Sequence, residues 1–158
     1  MMVNIKNNLK KNICLVGLMG SGKSVIGREL SKLYKLDFFD SDIEIERKTG
    51  KNINTIFEDD GELFFRKIEE EVCLELLDFD KCVISLGGGS IKNKAIRNKI
   101  KHNSFSIYLN VDINILAKRL EKSSKRPLLN NTNKKEKLFE LFNERKKFYN
   151  NSDLIVSN

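Results

Sequence analysis

Residues 17–24 read Gly17-Leu18-Met19-Gly20-Ser21-Gly22-Lys23-Ser24, the pattern G-x-x-x-x-G-K-S. An apolar run, Ile13-Cys14-Leu15-Val16, comes before it. A helical pattern follows, with Val25, Ile26, Leu30 and Leu33 on one side. A buried strand, a glycine loop and a helix in that order form the setting of a phosphate-binding P-loop. The residue types match the chemistry. Glycines let the backbone curl until several N–H groups converge on one polyphosphate. The helix that starts near Gly22 points the positive end of its dipole at the same anion. Lys23 reaches the β- and γ-phosphates, and the Ser24 hydroxyl is placed to ligate a magnesium ion. Nucleotide phosphates are therefore expected on Gly20, Ser21, Gly22, Lys23 and Ser24. The alternative, a glycine-rich turn with no ligand, is disfavoured by the flanking elements.

The rest of the chain alternates strand and helix patterns. Short strands are expected at Leu36–Phe39, Cys82–Leu86, Phe105–Leu109 and Leu154–Val156. Residues 43–59 hold two short helical stretches broken at Thr49-Gly50, with Ile45, Ile53, Ile56 and Phe57 as core. Longer helices are expected at about 62–78, 91–101, 113–122 and 134–150. In the first of these, Phe64, Ile68, Val72 and Leu76 recur as a buried stripe. The last carries Leu138, Leu141, Phe142 and Tyr149, with Arg145 among them. Alternation of this kind predicts an α/β fold, a parallel sheet with helices on both faces. With no internal repeat and no linker composition, residues 1–158 read as a single domain.

Composition narrows the function classes. Hydrophobic content of 40% and charged content of 32%, with one proline and nine glycines, fit a globular protein rather than a disordered one. The net charge of +7 fits either anionic small substrates or nucleic acid. Lysine and arginine are spread along the chain. The densest group, Lys92 to Lys101, reads as a solvated helix face with no aromatic stacking motif beside it. Nucleic acid is therefore not the expected partner. No segment approaches a membrane span, and Met1–Asn12 is polar and basic without a signal-peptide core, so a cytoplasmic location is expected. Cys14, Cys73 and Cys82 show no metal-ligand or redox spacing and read as buried thiols.

Several other positions are candidates for chemistry. Asp40 and Asp42 end the second strand, where open α/β sheets bind ligands; one faces the magnesium shell and the other the substrate. Asp42 reads equally well as a helix N-cap. Arg66 and Glu69 lie three apart and read as a pair, by pattern alone a surface salt bridge. Gly87-Gly88-Gly89 at a strand end leaves room for a ligand to approach the backbone. His102 reads as a residue at a helix C-terminus rather than a catalyst. Residues 122–131 form a polar, basic loop, a candidate lid from which Arg126 closes on phosphates.

Taken together these segments resemble the shikimate kinase family, from about Ile13 to Val156. The carrying motifs are G-L-M-G-S-G-K-S at 17–24, F-F-D-S-D at 38–42, F-F-R-K-I-E at 64–69, S-L-G-G-G-S at 85–90, K-R-P-L-L at 125–129 and E-R-K-K-F-Y at 144–149. The resemblance implies a three-layer P-loop NTPase fold with a five-stranded parallel sheet. It adds a helical substrate-binding insertion at about 41–70 and a lid at about 121–132. It implies transfer of the ATP γ-phosphoryl group to the 3-hydroxyl of shikimate, on the chorismate route to aromatic amino acids, with Mg2+, by a monomer. Lys23, Asp42 and Arg126 would be catalytic. Asp42 would hold the acceptor hydroxyls and take the 3-hydroxyl proton. Arg66, Gly88 and Arg145 would hold the substrate, with Glu69 orienting Arg66. Ser24 would bind Mg2+ directly and Asp40 through water. Val25, Arg119 and Arg126 would complete the ATP site, Arg119 lying against adenine. Two departures stand out. Val25 replaces the family's usual threonine, and the sequence stops at Asn158, where members usually continue into an adenine-contacting loop and a last helix. A P-loop kinase for gluconate or a nucleotide, and a non-catalytic nucleotide-dependent binding protein, are the competing readings.

Overall fold

The structure is a computed structural model that describes residues 11–121, 123, 125–130 and 132–158. The expected N-terminal segment before residue 11, and positions 122, 124 and 131 of the expected lid, lie outside the described residues. In chain order the elements are β1 (Asn12–Val16), α1 (Lys23–Tyr34), β2 (Asp37–Asp40), α2 (Ser41–Thr49), α3 (Ile53–Asp59), α4 (Gly61–Leu77) and β3 (Cys82–Ser85). Then come α5 (Lys94–Asn103), β4 (Ser104–Asn110), α6 (Ile113–Leu120), α7 (Lys134–Tyr149) and β5 (Leu154–Ser157), with 3₁₀ turns at Ser90–Lys92 and Pro127–Leu129. The five strands form one sheet in the order β2-β3-β1-β4-β5, and every pairing is parallel.

Alternation along the strands sorts the core into two layers. Ile13, Leu15, Val83, Ile107 and Leu109 face one way and are covered by residues that include Leu30 of α1. Cys14, Val16, Cys82, Ile84 and Tyr108 face the other way and pack with residues of α4, α5, α6 and α7. A strand buried on both faces needs near-continuous apolar sequence, which is what β1 supplies. Its one polar member, Asn12, is buried and donates to the Leu77 and Phe79 carbonyls. All three cysteines are buried free thiols, and burial pushes each one's pKa up. Among the described residues no helix is long and apolar enough to cross a membrane.

Three local expectations are corrected. Of the expected apolar side of α1 only Leu30 packs on the sheet: Val25 is 69% and Leu33 72% exposed, while Lys23, Gly27 and Ser31 are buried. The reason is close approach. A Cβ on Gly27 would sit 2.4 Å from Phe38 Cε2 and 3.2 Å from Leu15 Cδ1, so small residues form the contact face. The α4 stripe holds at Val72 and Leu76, with Ile68 packed against the same core, but not at its first position. Phe64 is 40% exposed, while Phe65, Val72 and Leu76 are buried together with Glu69. An apolar count cannot find this face, because a carboxylate occupies its middle. Finally, α2 begins at Ser41 and its N-cap is Asp40, whose side chain accepts from the Asp42 amide.

The packing of α1 sets a testable contrast. Alanine in a helix is usually favoured over glycine by up to about 1 kcal/mol. At Gly27 the clash outweighs that gain, and Gly27→Val is expected to destabilise by about 2 kcal/mol through overpacking. Leu33→Ser, on the exposed face, is expected to stay within about 0.5 kcal/mol. Urea unfolding of the two variants checks both values.

Candidate active site

Parallel strands bring their carboxyl ends to one edge, and the candidate residues collect there. The P-loop follows β1, the Asp40-Ser41-Asp42 segment ends β2 and opens α2, and Gly87–Gly89 follow β3. Between them lies a cleft of about 1070 Å³ lined by residues 19–26, Asp40, Asp42, Gly87, Gly88, Arg119 and Arg126, among others.

On the nucleotide side, Gly20 and Gly22 adopt φ of 80° and 92°, which an L side chain rarely tolerates, and this wraps the loop around the start of α1. Lys23 is nearly buried. Its Nζ donates to the Gly17 carbonyl at 2.8 Å, the Leu18 carbonyl at 2.9 Å and Ser21 Oγ at 3.4 Å. Burial, then the nearby Arg126 charge, lowers its pKa to about 8, while Asp42 and Asp40 pull the other way. Ser24 Oγ donates to Asp40 Oδ2 at 2.5 Å, and Asp40 Oδ1 caps α2 through the Asp42 amide at 3.0 Å. Asp40 is thus the cap, and the Asp42 carboxylate is left to face the cleft. A hydroxyl and a carboxylate in contact beside a P-loop are hard oxygen donors that fit Mg2+. The described residues hold no cluster of three or more His, Cys, Asp or Glu ligands. Arg119 Nη1 donates to the Gly20 carbonyl at 3.0 Å on the rim.

On the other side, a small pocket of about 60 Å³ lies among Asp42, Arg66, Glu69, Gly88, Arg126 and Arg145, with Phe57 and Phe65 also on its wall. Arg66 Nη1 donates to Glu69 Oε2 at 2.6 Å, and Arg66 also reaches Glu62. The Glu69 side chain is only 4% exposed, so the pair is not the solvated salt bridge that spacing alone favours. Arg126 Nη1 donates to Asp42 Oδ2 at 2.9 Å. Burial raises the Asp42 and Glu69 carboxyl pKa values, against the pull of Arg126 on Asp42 and of Arg66 on Glu69.

Arg145 is the outlier. It is 1% exposed, and its Nε and Nη1 have no hydrogen-bond partner among the described residues. A buried donor without a partner costs about 1–3 kcal/mol, more when charged. The triglycine turn is shaped around these groups. A Cβ on Gly89 would lie 2.4 Å from Arg66 Nη1, and one on Gly87 would lie 2.9 Å from Asp42 Oδ1. The sequence reading leaves that room for a ligand, and the structure gives part of it to the site's own charged side chains.

A family model described as shikimate kinase matches residues 19–158. The chain belongs to the shikimate kinase family. A shikimate kinase of Alteromonas mediterranea is 45% identical over 148 residues, covering 93% of this chain and 86% of the relative. Shikimate kinase 1 of Escherichia coli is 42% identical over 141 residues, covering 89% of this chain and 82% of the relative. Among solved structures, the shikimate kinase of Acinetobacter baumannii in complex with shikimate superposes with a TM-score of 0.91 at 36% identity. That match covers 96% of this chain and 87% of the other.

In this member of the shikimate kinase family, every candidate residue named from sequence lies on or beside the cleft. Val25 lies on the rim, largely exposed. His102 is in the last turn of α5, as expected. Sequence reasoning gave no role to Ser41, whose Oγ accepts from the Gly87 amide at 2.9 Å. It read Tyr149 as core, which the structure bears out, but not that its hydroxyl donates to the Gly88 carbonyl at 2.6 Å. The available signals were the position of Ser41 between the two aspartates and the one-turn spacing of Tyr149 from Arg145.

Lys23 generates a pH prediction. Phosphate binding favours the charged amine, so nucleotide affinity requires the proton and falls as pH rises through the lysine's pKa. The pH profile of kcat/KM for ATP is expected to turn down near pH 8. In the kcat profile, which reports the bound state, the fall moves to higher pH, because phosphate charge raises the lysine's pKa.

Proposed function

We propose that this chain transfers the γ-phosphoryl group of ATP to the 3-hydroxyl of shikimate, giving shikimate 3-phosphate and ADP. The observation that carries the reading is the buried guanidinium of Arg145, whose Nε and Nη1 have no partner among the described residues, in one pocket with Arg66, Gly88 and Asp42. A planar guanidinium fork binds a carboxylate through parallel hydrogen bonds, and the acceptor's single carboxylate supplies the missing partner. The family membership supports the same acceptor.

The roles follow from position. The P-loop amides and Lys23 hold the β- and γ-phosphates, with Ser21 and Gly20–Gly22 shaping the cradle. Ser24 would hold Mg2+ directly and Asp40 through water, and the ion would supply charge neutralisation at the phosphates. Asp42 orients the acceptor hydroxyls and accepts the proton of the attacking 3-hydroxyl. Its raised pKa makes it a better proton acceptor than an ordinary aspartate. Arg66, steadied by Glu69, binds the acceptor together with Arg145. Arg126 lines both the cleft and the small pocket, within reach of the transferring group once it leaves Asp42. Arg119 and Val25 form the outer wall of the nucleotide site. Positioning and charge neutralisation carry the reaction, because a loose phosphoryl transition state asks little covalent help of the protein.

ADP formation from magnesium-ATP with shikimate, gluconate and AMP as parallel acceptors tests the reading. Turnover with shikimate alone is expected, and turnover with another acceptor reassigns the pocket. Asp42→Asn is expected to keep its KM for ATP and to lose at least about a hundredfold in kcat. Arg145→Met separates function from stability. It should raise the KM for shikimate at least about a hundredfold through loss of a charge-assisted pair. Its melting temperature should stay level or rise, because a costly buried charge has gone.

A further inference from the structure

The face of α7 that meets the cleft carries Arg145 and, one turn later, Tyr149. Tyr149 is fully buried, and its ring stacks on Tyr108 at 4.9 Å between centroids and 17° between planes. The Tyr108 hydroxyl donates elsewhere, to Asn110 Oδ1 at 3.0 Å, so Tyr108 serves as a platform. The Tyr149 hydroxyl donates to the Gly88 carbonyl at 2.6 Å and lies against the Arg145 guanidinium. Burial pushes its ionisation upward, so it remains a neutral donor.

The triglycine turn needs such an anchor. A peptide between two glycines has no side chain to resist rotation. The Gly87 amide donates to Ser41 Oγ at 2.9 Å, and the Gly87 carbonyl accepts from Ser90 N at 3.1 Å and Ser90 Oγ at 2.7 Å. Those bonds fix the first part of the turn. The Gly88–Gly89 peptide, next in line, is held at its carbonyl by Tyr149. A Cβ on Gly88 would lie 3.1 Å from the Gly17 carbonyl oxygen and 3.5 Å, ordinary contact distance, from Arg145 Nη1, so the turn runs between the P-loop and the guanidinium.

We infer that Tyr149 is a positioning residue for acceptor recognition, its hydroxyl holding the Gly88–Gly89 peptide and the Arg145 guanidinium in the arrangement that receives the acceptor's carboxylate. The inference rests on the acceptor assignment proposed above. It separates Tyr149 from the apolar stripe of α7, where a phenylalanine would serve equally well.

Steady-state kinetics of the unaltered chain, Y149F and Y108F provide the test. Y149F keeps the ring and its stack. It is expected to raise the KM for shikimate about tenfold, equivalent to about 1.4 kcal/mol, with kcat and the KM for ATP within about twofold. Inhibition by shikimate methyl ester, which lacks the carboxylate charge, should weaken far less than binding of shikimate itself. Y108F should leave all of these values unchanged. If the unaltered chain does not phosphorylate shikimate, the acceptor assignment falls and this inference with it. If it does, and Y149F keeps its KM for shikimate or weakens the acid and its ester equally, this inference alone is overturned. Should Y149F fail to fold, 3-fluorotyrosine at position 149 keeps ring and hydroxyl while changing donor strength. The inference then requires a shift in the KM for shikimate without one for ATP, and no shift overturns it.

Discussion

A guanidinium that is 1% exposed, with two of its nitrogens unpartnered among the described residues, is the constraint around which one half of the cleft is arranged. Burying a charge is expensive unless other charges and hydrogen bonds compensate. Part of the compensation for Arg145 comes from Glu69, which feels its charge and is itself held by Arg66. The cleft as a whole gathers Lys23, Arg66, Arg126 and Arg145 against Asp40, Asp42 and Glu69. The cations outnumber the carboxylates, so the cleft attracts anions before any specific contact forms. The turn at Gly87–Gly89 belongs to the same arrangement, since side chains there would displace Asp42 or Arg66.

The parallel sheet makes this concentration possible. Three neighbouring strands, β1, β2 and β3, each end in a loop that carries part of the site. Their hydrogen-bonded register fixes the spacing of the P-loop, the aspartate pair and the triglycine turn: Asp40 pairs with Ser85, and Leu15 with the same serine from the other side. Helices α4 and α7 then bring Arg66, Glu69 and Arg145 in from one face. Precision in the site is therefore inherited from backbone pairing rather than from the loops themselves.

Much of this was legible in the sequence. The P-loop and the β/α alternation needed only pattern and turn chemistry. What pattern missed were contacts set by tertiary approach. The buried face of α1 is made of Gly27 and Ser31 because the helix lies close on Phe38, and no hydrophobic count finds a face made of small residues. The Arg66–Glu69 spacing gave the pair but not its burial, which depends on α4 turning Glu69 inward. Tyr149 looked apolar because its ring is packed, and its hydroxyl shows its partner only once β3 and α7 are brought together. The buried state of Arg145 was likewise invisible, since sequence shows an arginine among apolar residues but not whether it reaches solvent.

Asp40 commits both oxygens of one carboxylate. One receives the Ser24 hydroxyl beside the phosphate loop, and the other receives the amide of Asp42 at the start of α2. The donor and acceptor halves of the cleft are thus joined through a single side chain with no rotational freedom left over. One carboxylate therefore serves as a common support for the first turn of α1, through Ser24, and for the first turn of α2, so the two helix starts cannot shift apart without giving up one of its bonds.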